Sequence, residues 1–404
     1  MPKPIGWSAL REIDQMVDEL GSDPLQGHVD GRLIRGGTSK GFFVRRSALP
    51  AVDEDLLDEL VLELYGTPDP LQVDGIGGSH SHTSKLMIVE SSDRPDVDIE
   101  YTFGQVAITN PVVDWGGNCG NLTSAIGVFA IKDGLIDVDG DQASLTLYNT
   151  NTDTVIKQTI PLDTGTPDVY GDYTIDGVPG TGARIDSRFL DPAGGVFGSL
   201  FPTGNILDDV TVDGESIEYS VSDVTNPCVY VRATDLGLSG TELPEELAAD
   251  PELIDRFERI RGSVCEHLGL VDDAADAVDE SPTIPFIAAV SSPQDYETSI
   301  GTTVAASDID ITARVLTTQR PHHAYAMTGA MGLAATAQLP GTIPNDVTQA
   351  GANPIRIGHP KGIIEVGVTA DDDHVESVTV GRTAREIMRG RLFYRYVGNL
   401  ETLR

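Results

Sequence analysis

The chain has 404 residues, of which 40% are hydrophobic, with 43 Gly and 24 Pro; this excludes fibrous and disordered classes and leaves length enough for two cores. Its 63 Asp and Glu against 27 Lys and Arg give a formal net charge of -36, which repels nucleic acid and anionic membranes and argues against both as partners. The acidic residues are spread along the chain rather than gathered into a tail, so we expect a halophilic, salt-rich cytoplasm in which screening relieves the self-repulsion.

The first segment, MPKPIGWSALREIDQMVDEL, carries no apolar stretch of the signal-peptide kind, and no run approaches the ~18 apolar residues of a membrane span. A soluble intracellular protein is the expectation. Leu10, Ile13, Met16, Val17 and Leu20 fall at helical spacing, which predicts a helical extension over residues 1–28. From Gly31 onwards short β-branched and aromatic runs (GFFVRR, KLMIVE, VDIEYTFGQVAI, SLTLYNT) alternate with Gly, Asp, Asn and Pro, the pattern of an antiparallel sheet. One longer segment among them, NLTSAIGVFAIKDGLI, places Leu122, Ala125, Ile126, Phe129 and Ala130 at helical spacing.

The second half repeats the theme, with strands at IEYSVSDV, CVYVRATDL, ITARVLT, IIEVGVTA and ESVTVGRT around a predicted helix HAYAMTGAMGLAATAQ. PEELAADPELIDRFERIRGSVCEHLGL reads as an amphipathic surface helix, and VDDAADAVDESP as a solvated loop. The expected organisation is therefore α+β: a first domain over 29–205 and a second over 206–404, divided near PTGNILDD.

Four features could carry chemistry. Thr38-Ser39-Lys40 and Thr83-Ser84-Lys85 recur in Gly-rich loops that enter strands, where backbone N–H groups and hydroxyls can cradle a carboxylate; the alternative for each is an ordinary turn. Asn118-Cys119-Gly120-Asn121 precedes the first predicted central helix, a position that favours a reactive thiol and an anionic substrate, whereas Cys228 and Cys265 sit in apolar surroundings and read as structural. Three widely spaced cysteines indicate neither a disulfide framework nor a zinc site. His80 with His82, and His322 with His323, could hold a metal, but no third ligand accompanies them, and loop histidines are the better expectation. The DGVPGTGA stretch contains no complete phosphate-loop pattern, so no nucleotide is expected.

Taken in order, RGGTSKG, DGIGG followed by Ser84 and Lys85, GGNCGN, NTNT at 149–152, DGVPGTGA, DPAGG, LFPTGN, TNPCVYVRATDLGLSGTE, HHAYAMTGA and RTAREIM resemble the PrpF family of 2-methylaconitate isomerases, related in fold to diaminopimelate epimerase. That resemblance implies two pseudo-symmetric β-barrel-like domains, each around a central α-helix, with the C-terminal strand free to return to the first domain and the active site between the halves. It implies catalysis by Lys85 and Cys119 without cofactor or metal. Substrate carboxylates would be bound by Thr38, Ser39, Gly78, Ser79, Asn118, Gly120, Asn121, Thr328 and Gly329.

The implied partner is a small polycarboxylate, and a homo-oligomer is left open. Without that resemblance, Lys85 reads as a salt-bridged surface lysine rather than a catalytic one. Epimerases of this fold use a cysteine from each half; here the second half offers Met327-Thr328-Gly329, which argues against a two-thiol racemase. Removing an allylic proton beside a carboxylate gives a dienolate, a charge that helix N-termini can stabilise. The expected function is therefore a cis-trans or allylic isomerase of 2-methylaconitate or a similar acid. Methylitaconate, aconitate and oxalomesaconate are alternative substrates, and a non-catalytic carboxylate-binding protein is the alternative of another class.

Overall fold

In the computed structural model the described residues are 25–317, 319–371 and 374–404. The helix expected over residues 1–28 lies outside them as far as residue 24, and its last residues differ from expectation: Gln26, Gly27 and His28 already belong to the strand Gln26–Gly36. Val29 and Ile34, at odd spacing, are buried in different core clusters on the two faces of that strand, which pairs with Ala384–Arg395.

The strands follow one another edge to edge in a single mixed sheet. Its order is 384–395, 26–36, 39–45, 85–91, 99–106, 142–149, 154–163, 185–190, 375–382, 362–370, 355–359, 311–317, 286–291, 226–232, 215–224 and 208–212. Strand Val375–Arg382 is the hinge of this order, bonded on one side to Ile185–Leu190 and on the other to Gly362–Ala370. Immediately after it, Ala384–Arg395 bonds to the opposite end of the first half, so the last strands of the chain join both ends of the first set.

A single apolar core contains the inward faces of these strands and both predicted central helices, from Leu122 and Phe129 to Met331 and Leu333. The second helix, Met327–Ala337, is buried on nearly every side, as its Gly- and Ala-rich sequence allows. The first differs from its spacing. It is two short pieces, Gly120–Thr123 and Ile126–Lys132.

The cause lies 31 residues downstream. The Gln158 side chain enters the ladder, its Oε1 accepting from Gly127 N at 2.9 Å and its Nε2 donating to Thr123 O at 2.9 Å, the two groups that a continuous helix would pair with each other. Glycine at 127 leaves room for this side chain, since a Cβ there would stand 2.4 Å from Gln158 Oε1 and displace it.

Two helices cover the outer faces. Glu54–Tyr65 is capped by Asp53, whose carboxylate accepts from Leu56 N, and packs Leu60, Leu64 and Tyr65 onto Phe42, Val44, Leu86 and Ile88. The amphipathic stretch forms Pro244–Ala248 and Pro251–His267, the latter burying Phe257, Ile260 and Val264 against the second half. The segment expected as a solvated acidic loop is instead helical at Ala274–Asp276 and Ala277–Glu280. It packs there because Ala277 is fully buried and Arg261 donates to the carbonyls of Ala277 and Ser281, at 2.9 and 2.7 Å. No helix among the described residues is long and apolar enough to cross a membrane.

Candidate active site

The two Thr-Ser-Lys loops lie side by side. Ser39–Arg45 and Lys85–Ser91 are parallel neighbours, and Lys40 N donates to His82 O at 2.9 Å. Lys85 therefore begins its strand at the rim of the sheet. Its carbonyl accepts from the Tyr65 hydroxyl, which fixes the backbone from the covering helix.

Across the antiparallel pair Lys85 faces Gln105 directly, and Nζ donates to Gln105 Oε1 at 2.5 Å. The Gln105 amide cannot flip away, because Nε2 is held by the carbonyls of Ser81, Ser84 and Val106. Nζ also stands 4.9 Å from the centre of the Phe103 ring. No ion pair to Lys85 occurs among the described residues, so the surface salt-bridge alternative loses its partner. Asn151 of NTNT holds this wall in place, accepting from Phe103 N and donating to the carbonyls of Phe103 and Trp115.

Cys119 is the residue before the first helical turn, 8% exposed, with its Sγ 3.9 Å from Ser39 Oγ. Asn118 is oriented through Oδ1, which accepts from the hydroxyls of Tyr101 and Thr123. Asn121 is oriented likewise: Oδ1 accepts from Thr38 N at 3.4 Å and Arg382 Nε at 3.2 Å. The second helix begins at Met327, directly against the first; a Cβ on Gly120 would stand 3.0 Å from Met327 Cγ. The N-terminal ends of the two central helices thus meet.

A cleft of about 1370 Å³ opens over this junction. Of the residues singled out in the sequence, it is lined by Thr38, Ser39, Ser79, Lys85, Asn118, Cys119, Gly120, Asn121 and Thr328. Gly78 and Gly329 are not on its wall. Gly78 N donates instead to Ser84 Oγ at 3.3 Å, and Gly329 packs toward Phe286 and Tyr325. Cys228 and Cys265 are fully buried, and all three cysteines are free.

Sequence reasoning missed several residues that the fold brings to this cleft. Lys361 comes from the turn after Ile355–His359, so two of the chain's six lysines line the cleft. Arg320 lines it as well, with Asp176, Glu245, Asp255 and Glu258, while the four histidines singled out in the sequence, His80, His82, His322 and His323, share the same wall. Burial lowers the pKa of His82, and the neighbouring His80, Lys85, Lys361 and His323 lower it further. His322 is pushed down to about 4, first by burial and then by His323, His82 and Lys361. His80 and His82 stack with ring centres 5.3 Å apart, and no cluster of three His, Cys, Asp or Glu able to hold a metal occurs among the described residues. Gln105 carried no sequence signal, since its importance arises only from its register opposite Lys85.

The chain is similar to known proteins over most of its length. A family model described as PrpF protein matches residues 26–395. The 3-methylitaconate isomerase of Eubacterium barkeri is 39% identical over 89% of this chain and 96% of its own length. The 2-methyl-aconitate isomerase of Shewanella oneidensis is 37% identical over 91% of this chain and 97% of its own. The crystal structure of a methylitaconate-delta-isomerase superposes with a TM-score of 0.84 at 38% identity, covering 93% of this chain and 98% of that one. A hydroxyproline epimerase from Agrobacterium vitis, at 11% identity and a TM-score of 0.51 over 91% of this chain and 92% of its own, shares the fold alone. With the family's pattern matched from the first described strand to the last, this chain belongs to the PrpF family.

Proposed function

We propose that this protein is a cofactor-independent isomerase that moves a proton, and with it a double bond, in a small unsaturated di- or tricarboxylate of the 2-methylaconitate or methylitaconate kind. The observation that carries the proposal is the convergence of Lys85 and Cys119 on one cleft where two helix N-termini meet. Relatives that match over nearly their whole length are isomerases of such acids.

In this reading Lys85 takes a proton from the allylic carbon or returns it, and Cys119 assists from the other side or holds the substrate. Loss of that proton leaves an electron pair delocalised through the double bond onto a carboxylate, as a dienolate. N–H groups of Gly120 and Asn121, with Thr328 opposite, favour this charge, and return of a proton at a different carbon completes the shift. Thr38, Ser39, Ser79 and Asn118 bind the carboxylates, with Lys361 and Arg320 adding attraction.

On the same reading the fold divides near residue 205 into two barrel-like, pseudo-symmetric halves, each around its central helix. Three reduced, buried cysteines and the acidic surface suit a salt-rich cytoplasm. The test is proton NMR of the purified protein in concentrated KCl with 2-methylaconitate, methylitaconate, aconitate and oxalomesaconate. Conversion of one of them supports the proposal. A folded protein that converts none overturns it for these acids.

A further inference from the structure

Behind the cleft lies a smaller chamber of about 180 Å³ whose chemistry the proposed proton transfer leaves unused. It shares Thr38, Asn121, Tyr325 and Met327 with the cleft, so the two spaces adjoin, and its inner wall includes Arg382 and His359.

Arg382 is 4% exposed. Its guanidinium donates to Asn121 Oδ1 at 3.2 Å, to Gly381 O at 2.7 Å and to Met327 Sδ at 3.1 Å: two neutral oxygens and a weakly accepting sulfur. No carboxylate forms an ion pair with it among the described residues. A buried cation without a counter-charge is costly, and this chain has 63 acidic residues from which one could have been supplied.

His359 is 1% exposed, and its Nδ1 accepts from Lys361 N at 3.2 Å, so the neutral ring carries its proton on Nε2. That Nε2 is buried and has no acceptor. Burial, followed by the nearby Arg314, His322 and Arg382, pushes the His359 pKa down to about 3, so the ring remains a neutral donor at ordinary pH. Two acidic residues also touch the chamber wall: Asp176, whose Oδ2 is occupied by Ile363 N at 2.6 Å, and the exposed Glu365.

We propose that the chamber is a carboxylate subsite in which Arg382 and His359 Nε2 receive one arm of the substrate, so that the enzyme prefers tricarboxylates to dicarboxylates. A carboxylate there supplies the missing counter-charge and the missing acceptor together, while the rest of the molecule extends past Asn121 toward Cys119. The identification of the anion as a substrate arm rests on the isomerase reading; the demand for an anion does not.

The experiment measures binding of two saturated analogues that cannot isomerise, propane-1,2,3-tricarboxylate and methylsuccinate, by calorimetry on the full chain in KCl. Wild type is expected to bind the tricarboxylate about tenfold tighter or more. Arg382→Gln should bring the ratio close to one, and Arg382→Lys should restore part of it. His359→Asn keeps an acceptor near Lys361 N but removes the Nε2 donor; it should cut the ratio several-fold with methylsuccinate affinity unchanged, and it carries the test alone should Arg382→Gln fail to fold by circular dichroism.

A wild type that binds both analogues equally would overturn the subsite, whether the chamber excludes carboxylates or chloride holds it. So would a preference that survives in folded Arg382→Gln or His359→Asn. Turnover accompanied by such an indifferent preference counts against the subsite alone. A preference that depends on both residues, in a protein that isomerises nothing, supports the subsite and counts against the isomerase reading alone.

Discussion

The two central helices begin at the same junction and are built differently. The first opens with Cys119, runs for one turn, and is interrupted where Gln158 replaces a ladder hydrogen bond; the second opens with Met327 and runs unbroken to Ala337. Around the first stand Lys85, its Gln105 partner and the two Thr-Ser-Lys loops. Around the second stand Lys361, Arg320 and a His322 whose pKa burial lowers, with no thiol at its start. The contrast teaches an asymmetry: Lys85 and the thiol stand at the first helix, and the second helix adds a cleft wall that has neither.

That asymmetry can be broken most sharply at Lys85. Lys85→Ala should lower kcat by about 10³-fold, a loss typical of a positioned acid or base, with little change in the melting temperature. Next comes the helix break. Gln158→Leu leaves Thr123 O and Gly127 N buried without partners and should destabilise the protein by about 2 to 4 kcal/mol in chemical denaturation. A loss well under 1 kcal/mol would show that the broken helix relaxes without Gln158.

Cys119→Ser should cost about 10²-fold in kcat if the thiol moves a proton, whereas Met327→Leu, its counterpart at the other helix start, should cost less than about tenfold. Equal losses at the two positions would remove the asymmetry. A smaller effect than at Cys119 is expected for Gln105→Leu, about tenfold in kcat with KM nearly constant, because Lys85 keeps its place but loses its only hydrogen-bond acceptor among the described residues.

A pH prediction follows from the second half. His322 and His359 are held down to about 4 and about 3, while unfolded histidines titrate near 6.5. Between those values the unfolded chain binds more protons than the folded one, so stability falls as pH drops from about 6.5 and rises on return to neutrality. His359→Asn should flatten part of that slope in melts taken across pH 3.5 to 7.

Much of this was legible in the sequence where local pattern decides the structure. The strands and the second central helix follow from periodicity and uniform apolarity, and Cys119, Asn118 and the Thr-Ser-Lys loops stand out through glycine-rich context. What escaped depends on distant partners. The break at Ser124 is caused by a glutamine on another strand, and the acidic segment 272–281 folds because Arg261 needs its carbonyls. Gln105 acquires meaning only from strand register. Arg382 lay within a quoted motif, RTAREIM, yet nothing in that motif says that its guanidinium faces no acid.

The most direct test of the central claim is proton NMR in D2O and concentrated KCl, following the vinylic and allylic signals of an accepted substrate with wild type, Lys85→Ala and Cys119→Ser. The account predicts a double-bond shift with solvent deuterium entering at the carbon that gains a proton, absent in Lys85→Ala and slowed in Cys119→Ser. Isomerisation that continues at the wild-type rate in Lys85→Ala would contradict it.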